Sequence, residues 1–519
     1  MSTSADRQIL TQVRSVSAGG SGLPTAINAG YTIYVAFLVT AIVAVPLVRS
    51  IVLGLASTEV LATITAPDSY RVVGVVGAVL AASALLIART RGPIVPSPFV
   101  TEFLAGSQLA RSDTLRRPFL VSISVLVLVA FVVAGIVVGA QLLGGATVVL
   151  PAVLVVLACL AYAGFLALLW LIGQSCLRRT TVSLAVVILG TAIAIGLGMD
   201  AAVLATPWGW LAMLWESLGH AVTPIRWWPV IALAVVSPLM FLAAPTLLNN
   251  LRSSEIMAQA RRWQSIGTLV QTGDVAGASG VLRSPPTRGR HSRIALTGPL
   301  PLAILQRDIT AALRFPVRSA LGAVALVGAG WLNAHTPSVT NGLDWITALA
   351  SVLLAYMAAG VWCDGLRNAT ENAGPTSLYG RSILTMIGSH ALLPALACVV
   401  LGSIGAGAAV SGGAAISVLT WWILSTVFIV LVRILDCAKG PMPIGLLLPI
   451  VTPAGDVSIL NVIAWQFDAP LIVLTFAGGL SILFATAGPE AFIGLIISIG
   501  IVMALAGRRV RALGRLTTS

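Results

Sequence analysis

Asn249 to Arg318 reads NNLRSSEIMAQARRWQSIGTLVQTGDVAGASGVLRSPPTRGRHSRIALTGPLPLAILQRDITAALRFPVR. Across this stretch the apolar runs stop and ten arginines gather. On either side lie hydrophobic halves of comparable length. Hydrophobic residues fill 58% of the 519 positions and charged residues only 9%, with a mean hydropathy of +1.00. A soluble domain carries about a quarter charged residues, so the composition places the chain among polytopic membrane proteins.

The formal charge of +13 would point to nucleic acid in a soluble protein. Here the basic residues sit between apolar runs, where they orient helices against the membrane, and no nucleic-acid partner is expected. The five cysteines, Cys159, Cys176, Cys363, Cys398 and Cys437, show no CxxC or paired spacing. Neither a disulfide framework nor a zinc site is indicated. The first thirty residues lack an apolar segment followed by a small-residue cleavage site, so no cleaved signal peptide is expected.

Working outward from the break, six apolar runs precede it: Tyr31 to Val48, Val72 to Ile87, Phe119 to Leu143, Val148 to Ile172, Val182 to Met199 and Pro229 to Leu248. Six follow it: Ala320 to Leu332, Trp345 to Trp362, Ile383 to Leu401, Ile416 to Val432, Pro470 to Phe484 and Phe492 to Leu505. A helical span needs about 20 residues, so these predict twelve crossings, with Ala320 to Leu332 and Phe492 to Leu505 drawing on their flanks. Alternate loops then divide the basic residues unequally. Of thirty, only Arg49, Arg71 and Arg226 fall on one side. The positive-inside rule therefore predicts that both termini and the central stretch are cytoplasmic.

The halves also share a plan. Ile9, Leu10, Val13 and Val16, with Arg7 and Arg14 between them, predict a short amphipathic helix before the first span. Leu302, Ile304, Leu305, Ile309 and Leu313, interrupted by Arg307, Asp308 and Arg314, predict another before the seventh. Each half continues as span, outside loop, span and a polar inside loop, Ala88 to Pro118 in the first and Cys363 to Ser382 in the second. The predicted fold is all-α and polytopic: twelve transmembrane helices in two six-helix parallel repeats, each preceded by an amphipathic interfacial helix. The predicted divisions are residues 1–248, a cytoplasmic connector at 249–301 with short helices, and 302–519. Within the connector, Ile256, Trp263, Ile266, Leu269 and Val270 supply packing, and RSPPTRGRHSR follows as a flexible tether.

Several chemistries are absent. The lone lysine, Lys439 in CAKGPMP, lacks the glycine spacing and the following Ser or Thr of a phosphate-cradling loop. Gly402, Gly405 and Gly407 are assigned to an outside turn without a preceding strand. No Asp, Glu, Arg or Lys falls in the middle of the spans, where an ion-coupled carrier would bury one. Asp200, Asp364, Arg433 and Asp436 lie at span ends, and His390 reads as a hydrogen-bonded helix histidine. In TPWGWLAMLWESLGH, Glu216 and His220 share a helix face and would be half a metal site. The plainer reading is an interfacial helix with Trp208, Trp210 and Trp215 at headgroup level. Gly135 and Gly139, at GxxxG spacing, suit helix packing.

What remains is a permease energised by a separate protein. Phe103, Leu104, Leu109 and Arg111 in the first polar loop, and Leu378, Tyr379 and Arg381 in the second, give each half a surface suited to a soluble partner. The plan of amphipathic helix, six spans, polar loop after the second span and outside helix before the sixth resembles the ABC-2 type exporter permeases. GPIVPSPFVTEFLAGSQLARSDTLRRPFL resembles the coupling segment of the fused, two-repeat kind common in actinobacteria, and TPAGDVSILNVIAWQFDAP, Thr452 to Pro470, is similar to that group as well. The second half departs from it, because YGRS lacks the Arg-Asp element and Ala485 to Ala491 is too short for outside helices. The resemblance implies a bacterial plasma-membrane exporter of amphiphilic drugs, peptides or lipids. It implies no cofactor in this chain, with ATP and Mg held by a partner ABC ATPase, two copies per permease chain, and membrane lipids around it. A twelve-span ion-coupled secondary transporter is the alternative.

Overall fold

The computed structural model describes residues 34, 37, 38, 40–66, 69–105, 110–216, 227–271, 275–281, 298–336, 344–373, 380–440, 442–448, 451–452, 455–456 and 458–513. The amphipathic helix expected at Asp6 to Val16 lies outside them, as do the tether RSPPTRGRHSR and His220. The chain is an all-α polytopic membrane protein, and among the described residues ten helical runs are long and apolar enough to cross a bilayer. Among the described residues the only strands are two-residue ones, Val451–Thr452 paired antiparallel with Gly455–Asp456. Helices dominate because backbone polar groups in a bilayer have no water to bond, and a helix satisfies them within one segment.

Two compact units divide at Thr268 and Leu269. The first holds α1 (Val45–Leu55), α2 (Ser69–Ile87), α3 (Pro98–Ala105), α4 (Arg116–Leu143), α5 (Val149–Ser175), α6 (Arg178–Gly196), α7 (Pro207–Glu216), α8 (Trp228–Phe241, extended by Ala244–Asn249) and α9 (Ser253–Gln271). A π-helical turn, Thr40–Ala44, leads into α1. The hub is α5, 67% buried over its spanning window, whereas α4 is 11% buried and leaves its apolar surface for lipid. Helix α5 packs against α2, α4 and α8; α2 also meets α6 and α7, and α1 lies on α4. Small residues Ala78, Ala81 and Ala82 of α2 let Tyr162 and Phe165 of α5 come close. The Tyr162 hydroxyl donates to the Gly77 carbonyl at 2.7 Å.

The second unit holds α10 (Leu300–Leu313), α11 (Pro316–His335), α12 (Asp344–Ala359, closed by a 3-10 turn at Gly360–Trp362), α13 (Asp364–Glu371), α14 (Ile383–Ser411), α15 (Ser417–Cys437), α16 (Ser458–Ile472), α17 (Gly479–Ala487) and α18 (Ala491–Leu513). Helix α15 is its hub, 61% buried, and it packs against α12, α14 and α18. Helix α11 lies on α14 and on α12, and α12 also meets α17 and the π-helical stretch Val473–Gly478. Trp421 stacks on Phe484 at 4.6 Å and meets Phe492 edge-on at 5.4 Å. The continuous apolar run Asn461–Leu513 covers 53 residues, roughly 80 Å at 1.5 Å per residue against a hydrocarbon core of about 30 Å. It folds back at Gly488–Glu490, where Gly488 takes φ +71, and α17 packs against α18.

Three expectations are corrected. Gly402, Gly405 and Gly407 are not in a turn, because α14 runs on to Ser411. A Cβ at Gly402 would run into the Trp422 indole, and one at Gly405 into the Val327 carbonyl. Gly402 and Gly405 let α14 approach α15 and α11, as small residues do between membrane helices, whereas a Cβ at Gly407 meets nothing within 4 Å. Gly135 and Gly139 serve no such approach, since a Cβ on either meets nothing within 4 Å. In the connector helix α9, Ile256 and Ile266 are buried as expected, but Val270 is exposed.

Candidate functional site

The polar loop after α2 is short of internal hydrogen bonds, so its backbone needs partners. Side chains from three other elements supply them. Ser122 of α4 donates to the Pro93 carbonyl at 2.6 Å. From α5, Trp170 Nε1 donates to Arg91 at 2.8 Å and Gln174 Nε2 to Ile94 at 2.9 Å. From α9, Gln259 Nε2 donates to Ala88 at 3.1 Å and Arg89 at 3.4 Å, and Trp263 Nε1 to Thr90 at 3.0 Å. Gln259 Oε1 accepts from Gln174 Nε2 at 2.9 Å and from the Gly92 amide at 3.3 Å. Six carbonyls between Ala88 and Ile94 are thereby held, and the Gln174–Gln259 pair sits buried at their centre. The Arg91 guanidinium lies over the Trp263 ring at 4.8 Å, and Arg89 pairs with Glu255 at 3.6 Å.

The loop then enters α3. Phe99 and Phe103, one helical turn apart, are 60% and 46% exposed. Phe103 is thus open at the surface of this helix. Phe99, which sequence reasoning missed, joins it; four-residue spacing from Phe103 was the signal. Leu104 belongs to α3, but its side chain, like the whole of Leu109, Leu378 and Tyr379, lies outside the described residues. Arg111 does not face outward alone. Its guanidinium donates to the Leu251 carbonyl and to Ser253 Oγ at 2.8 Å, and the Ser112 amide donates to Asn249 Oδ1 at 2.9 Å. The arginine ties the loop to the junction of α8 and α9. Beneath it, Ile94, Leu115 and Phe119 pack with Leu168, Leu171, Leu248, Leu251 and Ile256.

In the second unit the corresponding place, the end of α12, is held by charge. Arg433 of α15 donates to the Tyr356 carbonyl from Nε at 3.0 Å and covers the Tyr356 ring at 3.5 Å. Asp436 accepts from the Tyr356 hydroxyl at 2.9 Å and lies 3.3 Å from Arg433. Arg318 of α11 pairs with Asp364 at the start of α13. Asp308 of α10, read from sequence as part of a polar surface, is buried and meets His390 of α14 at 2.6 Å. The partner of His390 is a carboxylate that sequence reasoning did not connect to it. Cys363 lies beside these residues, and burial pushes its thiol up to about 12. Arg381 is exposed just ahead of α14. Beyond this cluster Asp468 links Lys439 at 2.6 Å and Arg509 at 3.1 Å.

Glu216 ends α7, while Trp208 is buried in the first unit's core and Trp215 Nε1 donates to the Ile64 carbonyl at 3.1 Å. The tryptophans of that segment are packing residues as much as interfacial ones. Among the described residues no group of three His, Cys, Asp or Glu side chains is placed to hold a metal ion. No family model, curated protein or solved structure matches the chain.

Proposed function

We propose that this chain is the permease subunit of an ATP-driven exporter, two six-helix repeats in one polypeptide energised by a separate ABC ATPase bound in two copies. The observation that carries the proposal is a recurrence of helix pairings. In spans numbered from each half's start, first with third, second with fourth, second with fifth, third with fourth and fourth with sixth pack in the first unit, and the same five pairs pack in the second. In both the fourth span is the hub. The ten apolar runs become twelve crossings when Asn461–Leu513 is divided at its turn and Thr40–Leu55 is added.

Each half offers a polar loop after its second span, on the side that the arginine distribution assigns to the cytoplasm. In the first half that loop carries α3 with Phe99 and Phe103 outward. A permease driven by a partner's ATP hydrolysis needs a rigidly seated, outward-facing element of this kind, because a partner moves the spans only through a contact that does not yield. The substrate class follows from the resemblance to exporter permeases and is amphiphilic: a drug, peptide or lipid.

Isolation from the native bacterial plasma membrane in mild detergent tests the proposal. A nucleotide-binding polypeptide should copurify, and transport in vesicles should require ATP and survive an ionophore. Transport that stops with the ionophore and continues without ATP would overturn it. One observation favours that second outcome, an ion-coupled carrier: the buried Asp308–His390 pair, since ionisable groups within membrane helices mark proton pathways.

A further inference from the structure

The central stretch reads in the sequence as short packing helices followed by a tether, and its first helix is built into the loop that bears α3. We propose that α9 is an intrachain brace: Gln259 and Trp263 are positioning residues that hold the segment Ala88–Ile94 against α5, and thereby set the position of α3. The proposal rests on the exporter reading for what α3 touches, but not for the brace itself.

The geometry is specific. A glutamine amide has two donors and one accepting oxygen. Gln259 directs Nε2 at the carbonyls of Ala88 and Arg89, and Oε1 at Gln174 and the Gly92 amide. Three of these partners are backbone groups of fixed polarity, two carbonyls and one N–H, and only one orientation of the Gln259 amide satisfies all three. A Cβ at Gly92 would overlap the Gln174 amide, so a side chain there would displace Gln174 from the contact. Trp263 adds a fourth α9 hydrogen bond to the loop through Thr90, and its ring under Arg91 limits side-to-side movement. Arg111 fixes the far end of the loop to the start of α9. The loop is therefore pinned at both ends to the connector, and through Gln174 and Trp170 to the hub helix α5. A displacement of α3 is passed to α5 and α9 together rather than absorbed by a slack loop. Among the described residues of the second unit no connector helix lies at the end of α12; arginines and carboxylates hold that site.

Hydrogen exchange on the full chain, in detergent or nanodiscs, tests the brace without any partner. In Gln259→Leu and in Trp263→Phe, which keeps an aromatic ring on this face of α9 but loses the indole N–H together with the five-membered ring, amides of residues 88–97 should exchange at least tenfold faster. The exposed Gln264→Leu on the same helix should leave them unchanged, and the spans should stay protected in all three. Unchanged exchange in both Gln259→Leu and Trp263→Phe overturns the brace. Loss of protection throughout the spans in Gln259→Leu passes the decision to Trp263→Phe. With the ATPase present, both variants should keep the partner bound and transport at least fivefold less substrate per ATP hydrolysed. An unaltered ratio with a loosened loop overturns the positioning role. Absence of any copurifying ATPase from the wild type sinks the exporter reading instead, and the exchange result still decides the brace.

Discussion

His390 Nδ1 lies 2.6 Å from Asp308 Oδ2, with the two side chains 3% and 5% exposed. The contact joins α10, the helix ahead of the second unit's first span, to α14. Gly365 of α13 approaches so closely that a Cβ there would overlap the Asp308 carboxylate. Removing one member of a buried pair leaves the other without its partner in a medium that solvates it poorly, which costs about 3 kcal/mol. Asp308→Ala should therefore lower the thermal unfolding midpoint strongly, and Asp308→Asn, which keeps a hydrogen bond, should cost about 1 kcal/mol. Equal, small effects of both would mean that the pair does not hold α10 in place.

Two glycines of α14 should respond to alanine with opposite signs. At Gly402 the added methyl displaces the Trp422 indole, whose Nε1 donates to the Cys398 carbonyl at 3.1 Å. Overpacking of this kind costs about 1–3 kcal/mol. At Gly407 nothing lies within 4 Å of the new methyl. Gly407→Ala should then stabilise by about 0.5–1 kcal/mol, since alanine in a helix surrenders less backbone freedom on folding than glycine. Unfolding midpoints of the two variants beside wild type give the answer.

Cys363 provides a pH-dependent reading of the same region. The thiolate is the nucleophile, and burial, only partly offset by Arg433, pushes the thiol up to about 12. At pH 8 roughly one thiol in ten thousand is ionised. Cys363 should therefore stay unmodified by a maleimide at pH 7 and at pH 8 in the folded protein, and react once the protein is unfolded in detergent. Rapid labelling at pH 8 in the native state would show that α12, α14 and α15 do not close over it.

The parts of this architecture that were legible in the sequence are those written in one-dimensional patterns. Apolar runs mark helices, and arginines between them mark sides. Ala320 to Leu332 looked short because Arg318 and Asn333 interrupt the apolar pattern at its ends, yet α11 runs from Pro316 to His335: Arg318 is paired with Asp364, and Asn333 donates to Ser351 Oγ at 3.2 Å. Gly402 to Gly407 looked like a turn because glycine marks both turns and tight helix crossings, and only the distant Trp422 and Gly330 decide between them. Asp308 reads as the polar side of an amphipathic helix, since nothing local announces a histidine 82 positions away. The site itself was half legible. Phe103 stands out as an apolar residue in a polar loop and Trp263 reads as a packing residue, while Ser122, Trp170, Gln174 and Gln259 do not stand out, because their partners are mostly backbone carbonyls and carbonyls have no letter in the sequence.

Phe99 and Phe103 give the exporter proposal its sharpest local test. Both rings stand exposed on one face of α3, so removing them takes little from the fold. If they anchor the ATPase, burying each ring contributes about 1.5–3 kcal/mol to association. Phe99→Ala with Phe103→Ala should therefore weaken ATPase binding at least tenfold, a factor that about 1.4 kcal/mol produces, with an unchanged unfolding midpoint. Arg111→Ala should behave the other way round. Its guanidinium serves Leu251 and Ser253 within the chain, so the variant should lose about 1–3 kcal/mol of stability and bind the ATPase less well only in proportion to the loosened loop. Titration of the purified ATPase against wild type and the two variants in nanodiscs, with unfolding curves on the same samples, separates a contact from a support. If the double phenylalanine variant binds as tightly as wild type, α3 is not the docking element; if Arg111→Ala abolishes binding at full stability, the arginine reaches the partner after all.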